Sequence, residues 1–192
     1  MFMPRPIATS IKSKTMNQQL SQKLRLLITA VITLLIWGHI GWDYTHGGIP
    51  THYILHNADM PGIPNWWGGI VLPFFTYFLL YRIAKRLNRP DNTDSLKLVG
   101  LRLVAGLVFA ISISVCFMNG IEATDYIMGL IFILAFIFQL YKSEYFLGWV
   151  LGASFAFGAI IPIGFGSILC LVFFLIYQLV SGIKRLLRPK SN

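Results

Sequence analysis

Residues 145–181 read YFLGWVLGASFAFGAIIPIGFGSILCLVFFLIYQLVS, a tract without one charged side chain. A helix crosses the hydrocarbon core of a bilayer with about 20 mainly apolar residues, so this tract is too long for a single span. Proline removes a backbone donor and glycine tolerates the geometry of a turn. Pro162 and Gly164 therefore mark the expected break, and the tract predicts two helices joined by a very short turn.

Working outward from it, four further apolar stretches qualify as spans, at about 24–42, 67–83, 98–118 and 124–140. The fold class expected is all-α: a polytopic membrane helix bundle of six transmembrane helices. Both termini are expected on the cytoplasmic side, and a short helical outer loop is expected between the first two helices. Residues 24–183 form the transmembrane domain, between a basic leader (1–23) and a basic tail (184–192). The leader has no acid and several Ser, Thr and Lys, a composition shared by mitochondrial transit peptides and by disordered leaders. Met16 is an alternative start.

Composition agrees with the class. Of the 192 residues, 56% are hydrophobic and only 12% charged, with a mean hydropathy of +0.67. A soluble domain carries about a quarter charged residues. The charges also test the span count. With six spans, all sixteen Lys and Arg fall on one side, as the positive-inside rule requires. Five or seven spans would break that segregation. The net charge of +9 thus reads as topology, and no nucleic-acid partner is needed to explain it. Partitioned by side, the basic face also holds Asp91, Asp94 and Glu144. The opposite face holds Asp43, Asp59, Glu122 and Asp125 with all four histidines.

Those histidines lie between the first two spans. If the first helix continues to His46, then His39, Asp43 and His46 stand at i, i+4 and i+7 on one stripe. Gly47, Gly48 and Pro50 then break the chain. Thr51 is placed to cap a short second helix, on which His52, His56 and Asp59 repeat the spacing before Pro61. Imidazole and carboxylate ligands without thiolate suit a divalent transition metal, zinc first. The metal ligands expected are His39, His46, His52 and His56. Asp43 and Asp59, with Glu122 and Asp125 from the start of the fourth span, are the candidates to orient a ligand or move a proton. Plainer roles are available to several of them. A single histidine in an interfacial loop can simply hydrogen-bond a neighbouring helix, and Asn119 with Glu122 has the spacing of a capping box.

Other residues have structural readings. Trp42, Trp66 and Trp67 suit the outer interface, whereas Trp37 and Trp149 are expected to pack between helices. Asn65 is a candidate N-cap for the second helix. Gly148, Gly152 and Ala156 form a small-residue stripe that allows close helix contact within the bundle. Cys116 and Cys170 read as small hydrophobes and not as a disulfide.

Three functions follow from this pattern. The first is a metal-dependent membrane hydrolase or transferase acting at the outer leaflet on a lipid or lipid-linked substrate. The second is a component of a metal-ion or proton transporter, which the scarcity of ionisable groups near the bilayer midplane disfavours. The third is a non-catalytic assembly or sensor protein whose histidines respond to pH or metal. The partner expected in each case is the lipid bilayer, and no signal in the chain specifies an oligomeric state. The short connections suit a bacterial inner membrane, with an organellar inner membrane as the alternative.

Overall fold

The computed structural model describes residues 20–53, 57 and 59–187. The leader to residue 19, His56 and the last five residues lie outside the described set. Within it the chain is all-α apart from one small hairpin. The helices are α1 (Gln22–Thr45), α2 (Trp66–Leu87), α3 (Leu96–Met118), α4 (Ala123–Ala135), α5 (Ser143–Phe157) and α6 (Ile160–Leu186). Strands β1 (Thr51–Tyr53) and β2 (Gly62–Pro64) lie between α1 and α2.

Local chemistry sets the boundaries. The hydroxyls of Ser21 and Ser95 accept from the N–H groups of Leu24 and Leu98, each at 3.2 Å, and so begin α1 and α3 with satisfied donors. The chain leaves α1 through Gly47 and Gly48 at φ +119° and +99°, where a Cβ would be strained. The Gly48 N–H returns to the Asp43 carbonyl at 2.9 Å.

Four helices, α1, α2, α3 and α6, are long and apolar enough to cross a membrane, which is the build of a membrane protein. Their outward surface agrees. Leu34, Leu35, Phe74, Leu101 and Ile168 are all exposed, and helices apolar on every side belong in lipid or in a large core. Helices α4 and α5 have 13 and 15 residues. At 1.5 Å per residue they reach only about 20 and 22 Å, short of the roughly 30 Å hydrocarbon core. The fourth apolar stretch does not stay helical to residue 140, because α4 stops at Ala135 and a run of turns carries the chain to Lys142.

Two boundaries differ from the sequence expectation. The break in the 145–181 tract falls at Gly158, at φ +68°, four residues before Pro162. Glycine can take that backbone and proline cannot. Pro162 instead lies in the first turn of α6, where its missing N–H leaves no helical bond unmade. The described ends of the outer loop, Thr51–Tyr53 and Gly62–Pro64, are paired strands and not helix. Thr51 pairs with Pro64, His52 with Ile63 and Tyr53 with Gly62, antiparallel. Thr51 therefore caps nothing. The β-branched and aromatic residues of the Thr-His-Tyr run fit an extended ladder.

Helices α3 and α5 make the most extensive contact in the bundle, and glycine is the cause. A Cβ on Gly148 would run into the Leu103 carbonyl, and one on Gly106 into the Tyr145 carbonyl. On Gly152 it would stand 2.7 Å from the Ala110 Cβ. The stripe on α5 thus packs within the bundle. Around this pair lies a core of Leu79, Leu80, Ile83, Val99 and Leu147 toward one end. A second core of Ile36, Ile40, Leu72, Val150 and Ala159 lies toward the other. Trp37 and Trp149 pack as expected, their indole N–H groups donating to the carbonyls of Gly69 and Pro162 at 3.0 and 3.1 Å.

Candidate functional site

At the end of the bundle formed by the C-terminus of α1, the hairpin and the α5–α6 turn, three polar side chains lie near Asn65. His39 and Asp43 are one turn apart on α1, with Nδ1 and Oδ1 3.7 Å from each other. This is a charge-range contact, longer than a hydrogen bond. The His39 ring stacks on Phe155 of α5 with centroids 5.0 Å apart. The Asn65 side-chain amide donates to Asp43 Oδ2 at 3.5 Å, at the limit of a hydrogen bond. Asn65 occupies the N-cap position of α2 but makes no capping bond with its side chain, which turns to Asp43 instead.

The hairpin supplies the fourth member. Pairing of β1 with β2 places the His52 ring against Gly158, where a Cβ would stand 2.8 Å from His52 Cδ2 and 3.1 Å from Asn65 Oδ1. Asn65 is 3% exposed, and its Oδ1 has no hydrogen-bond partner. A small cavity of about 10 Å³ lies here, lined by His52, Asn65, Gly68 and Gly158 among others. That is room for about one water. The Asn65 N–H donates to the Pro50 carbonyl at 2.9 Å, and so ties the hairpin to the start of α2.

The other expected residues go elsewhere. His46 caps the end of α1, with its ring stacked on Trp42 at 3.8 Å and Nδ1 within 3.0 Å of the Trp42 carbonyl. It is exposed and makes its contacts within α1. His52 lies on a strand, so it does not share a helical stripe with His56, which is outside the described residues. Asp59 is exposed in the loop, where its N–H donates to Asn57 Oδ1 at 3.0 Å. Glu122 and Asp125 are exposed at the start of α4, and α4 packs mainly on α3 and α6. The capping box is also not formed, since Asn119 ends α3 and its amide donates to the Val115 carbonyl at 2.8 Å. Among the described residues no three His, Cys, Asp or Glu side chains gather to hold a metal. Both cysteines are free thiols.

A second polar cluster, absent from the sequence-based candidates, lies at the opposite end of the helices. Glu144, fully buried in the first turn of α5, receives Arg86 Nη2 on both oxygens at 2.8 Å and Arg102 Nη1 at 3.1 Å. Asp94 takes Arg102 and Lys142, each at 2.9 Å, with Arg86 Nε at 3.5 Å. Burial works against ionisation of Asp94, but hydrogen bonds from Arg102 and Lys142 outweigh it and hold the carboxyl at about 2. The cluster joins α2, α3, α5 and the 88–95 connection. One signal in the sequence points to it: Arg102 is a charge set inside an apolar helix, and such a charge needs a partner.

Comparison with protein-family models, curated proteins and solved structures returned no match.

Proposed function

We propose that the chain crosses the membrane six times, the short α4 and α5 being completed as spans by the apolar turn residues that flank them, with the basic face cytoplasmic and the His39–Asp43–Asn65–His52 face exoplasmic. We propose further that it acts at the outer leaflet as a hydrolase or transferase on a lipid or lipid-linked substrate. The observation that carries this reading is the geometry around Asn65. A carboxylate and an imidazole are held together on α1, and the Asn65 amide that reaches this carboxylate with its nitrogen keeps its oxygen buried without a hydrogen-bond partner, at a space of about 10 Å³ that His39 and Asp43 do not line. Buried polar groups are ordinarily satisfied, and the space at this acceptor has room for about one water. In this arrangement Asp43 orients His39, and His39 exchanges the proton. A metal-dependent form of the reading, with zinc first, needs His56, because the described residues do not make a ligand set by themselves.

A sensor reading has one observation in its favour. It is the His39–Asp43 contact itself, 3.7 Å across one turn near the end of α1. A relay across the bilayer has no such support. Beyond Arg82 and Lys85 in the last turns of α2, the described helices carry no Asp, Glu, His, Lys or Arg between the two polar clusters.

Lipid extracts of cells expressing the wild type, His39→Ala or Asp43→Asn at equal levels test the proposal. The expected result is a lipid or lipid-linked species that the wild type consumes or produces and neither variant changes. Identical profiles in all three overturn the enzymatic reading. Metal analysis of the purified protein with His52→Ala and His56→Ala then separates the two enzymatic forms. Stoichiometric zinc lost in both variants supports the metal form, and a metal-free active protein removes it.

A further inference from the structure

On the side of α3 and α5 away from α2, the bundle encloses a cavity of about 300 Å³ between α3, α4, α5 and α6. Its cause lies in the sequence. Ala105, Gly106 and Gly166 line it with almost no side chain, and the short α4 touches α3 and α6 only sparsely. Trp149, Phe109 and Phe173 complete an apolar wall. Along α6 it extends from Gly166 to Phe173, about 10 Å at the helical rise. Ala105 and Phe138 are exposed at its edge, so it opens sideways onto the lipid-facing surface and not toward water. A volume of this size is at the lower end of the range for small-molecule sites.

The lower end of the cavity adjoins the buried charge cluster. Leu140 and Tyr145 line it and bracket Lys142 and Glu144 in sequence. On α3, Arg102 lies three and four residues before Ala105 and Gly106, on the same face. Arg102 is also near enough to the Tyr145 hydroxyl to interact with it. The cluster has three cations, Arg86, Arg102 and Lys142, against two carboxylates, Asp94 and Glu144. One positive charge is therefore left over in the cluster next to the lower end of an apolar slot that opens into lipid.

We propose that this cavity binds one acyl chain of an anionic phospholipid from the basic-face leaflet, whose phosphate is drawn to the unbalanced charge at Lys142 and Arg102. The proposal rests on the membrane reading above and is independent of the His39–Asp43 site. The chain fills the apolar volume, and the headgroup supplies the negative charge that the two carboxylates leave unmatched. A zwitterionic lipid meets the first requirement and fails the second.

The test is native mass spectrometry of the delipidated, detergent-solubilised full chain, titrated with phosphatidylglycerol and with phosphatidylcholine of the same chains. The wild type is expected to prefer phosphatidylglycerol by about tenfold, equivalent to about 1.4 kcal/mol. Lys142→Gln removes the surplus charge and is expected to abolish that preference. Ala105→Phe fills the mouth and is expected to weaken both lipids, whereas His39→Ala leaves binding unchanged. Equal binding of the two lipids by the wild type overturns the proposal, as does binding that Ala105→Phe leaves intact. A second readout covers a variant that does not fold. Wild-type protein irradiated with diazirine-bearing phosphatidylglycerol is expected to carry adducts on the 105–109 and 166–173 segments. Adducts spread evenly over the exposed face of α1 contradict the site. Extraction of the protein from membranes by alkaline carbonate would sink the membrane reading itself, a failure distinct from loss of lipid selectivity.

Discussion

The two ends of the helix bundle handle polar groups in opposite ways. At the basic end, five charged side chains meet at 2.8–3.1 Å in their principal contacts, and both carboxylates are saturated by cations. At the histidine end, the contacts are 3.5 and 3.7 Å and the buried Asn65 amide oxygen has no hydrogen-bond partner, whereas the corresponding atom of the basic cluster, Arg86 Nε, still faces Asp94 at 3.5 Å. Both carboxylates are fully engaged, so the basic cluster reads as the clamp that holds α2, α3 and α5 together, and only its surplus of one cation is left for a ligand to satisfy. Slack at the other end is a cost to the fold, since each unsatisfied buried group loses about 1–3 kcal/mol. Function is the ordinary reason a fold carries such a cost.

This contrast predicts unequal responses to mutation. The largest effect is expected from Glu144→Gln, which leaves Arg86 and Arg102 facing a neutral amide in a buried setting. Breaking a buried pair in this way costs about 3–5 kcal/mol, and thermal unfolding in detergent is expected to show it. A loss below about 1 kcal/mol would remove the clamp reading. The second effect is the pH response of the same cluster. Asp94 is held at about 2 against an ordinary 3.8, so its stabilisation is complete above pH 4 and is lost as pH falls from about 4 toward 2. The shift corresponds to about 2 kcal/mol. Asp94→Asn should flatten the acid limb of the stability profile, and an unchanged limb would show that the shift is not realised.

Smaller effects are expected at the histidine end. Gly158→Ala places a methyl group against His52 at a positive φ, for about 1–3 kcal/mol. Asn65→Ala removes one long hydrogen bond and also removes the orphaned oxygen, so its stability change is expected within about 1 kcal/mol. A large loss from Asn65→Ala would mean that this end is as saturated as the other, and the comparison would collapse.

Much of this was legible in the chain, for reasons that can be traced to particular residues. The apolar runs and the segregated charges predicted an all-α build, and α1, α2, α3 and α6 appear within a few residues of the expected spans. The Pro162 break was misplaced because proline is compatible with a first helical turn, whereas the turn itself needed the positive φ of Gly158. The His52–His56–Asp59 stripe assumed a helical period for a segment that pairs across to Gly62 and Ile63, a long-range partner that no local spacing announces. His39 and Asp43 stayed together because i and i+4 on α1 needed no tertiary information. The basic cluster was missed because Asp94, Arg102 and Glu144 are 8 and 42 residues apart along the chain, and only packing brings them to one point.

The central claim is that the loosely held pair on α1 is kept for chemistry and not for stability. Asp43→Asn tests it directly, because the substitution preserves shape and an acceptor for Asn65 while removing the charge that orients His39. The measurement is the membrane lipid profile of cells expressing this variant, with its thermal unfolding recorded in parallel. The account predicts unfolding close to the wild type and loss of the lipid change that the wild type produces. An unstable Asp43→Asn protein, or one whose lipid profile matches the active wild type, would contradict it.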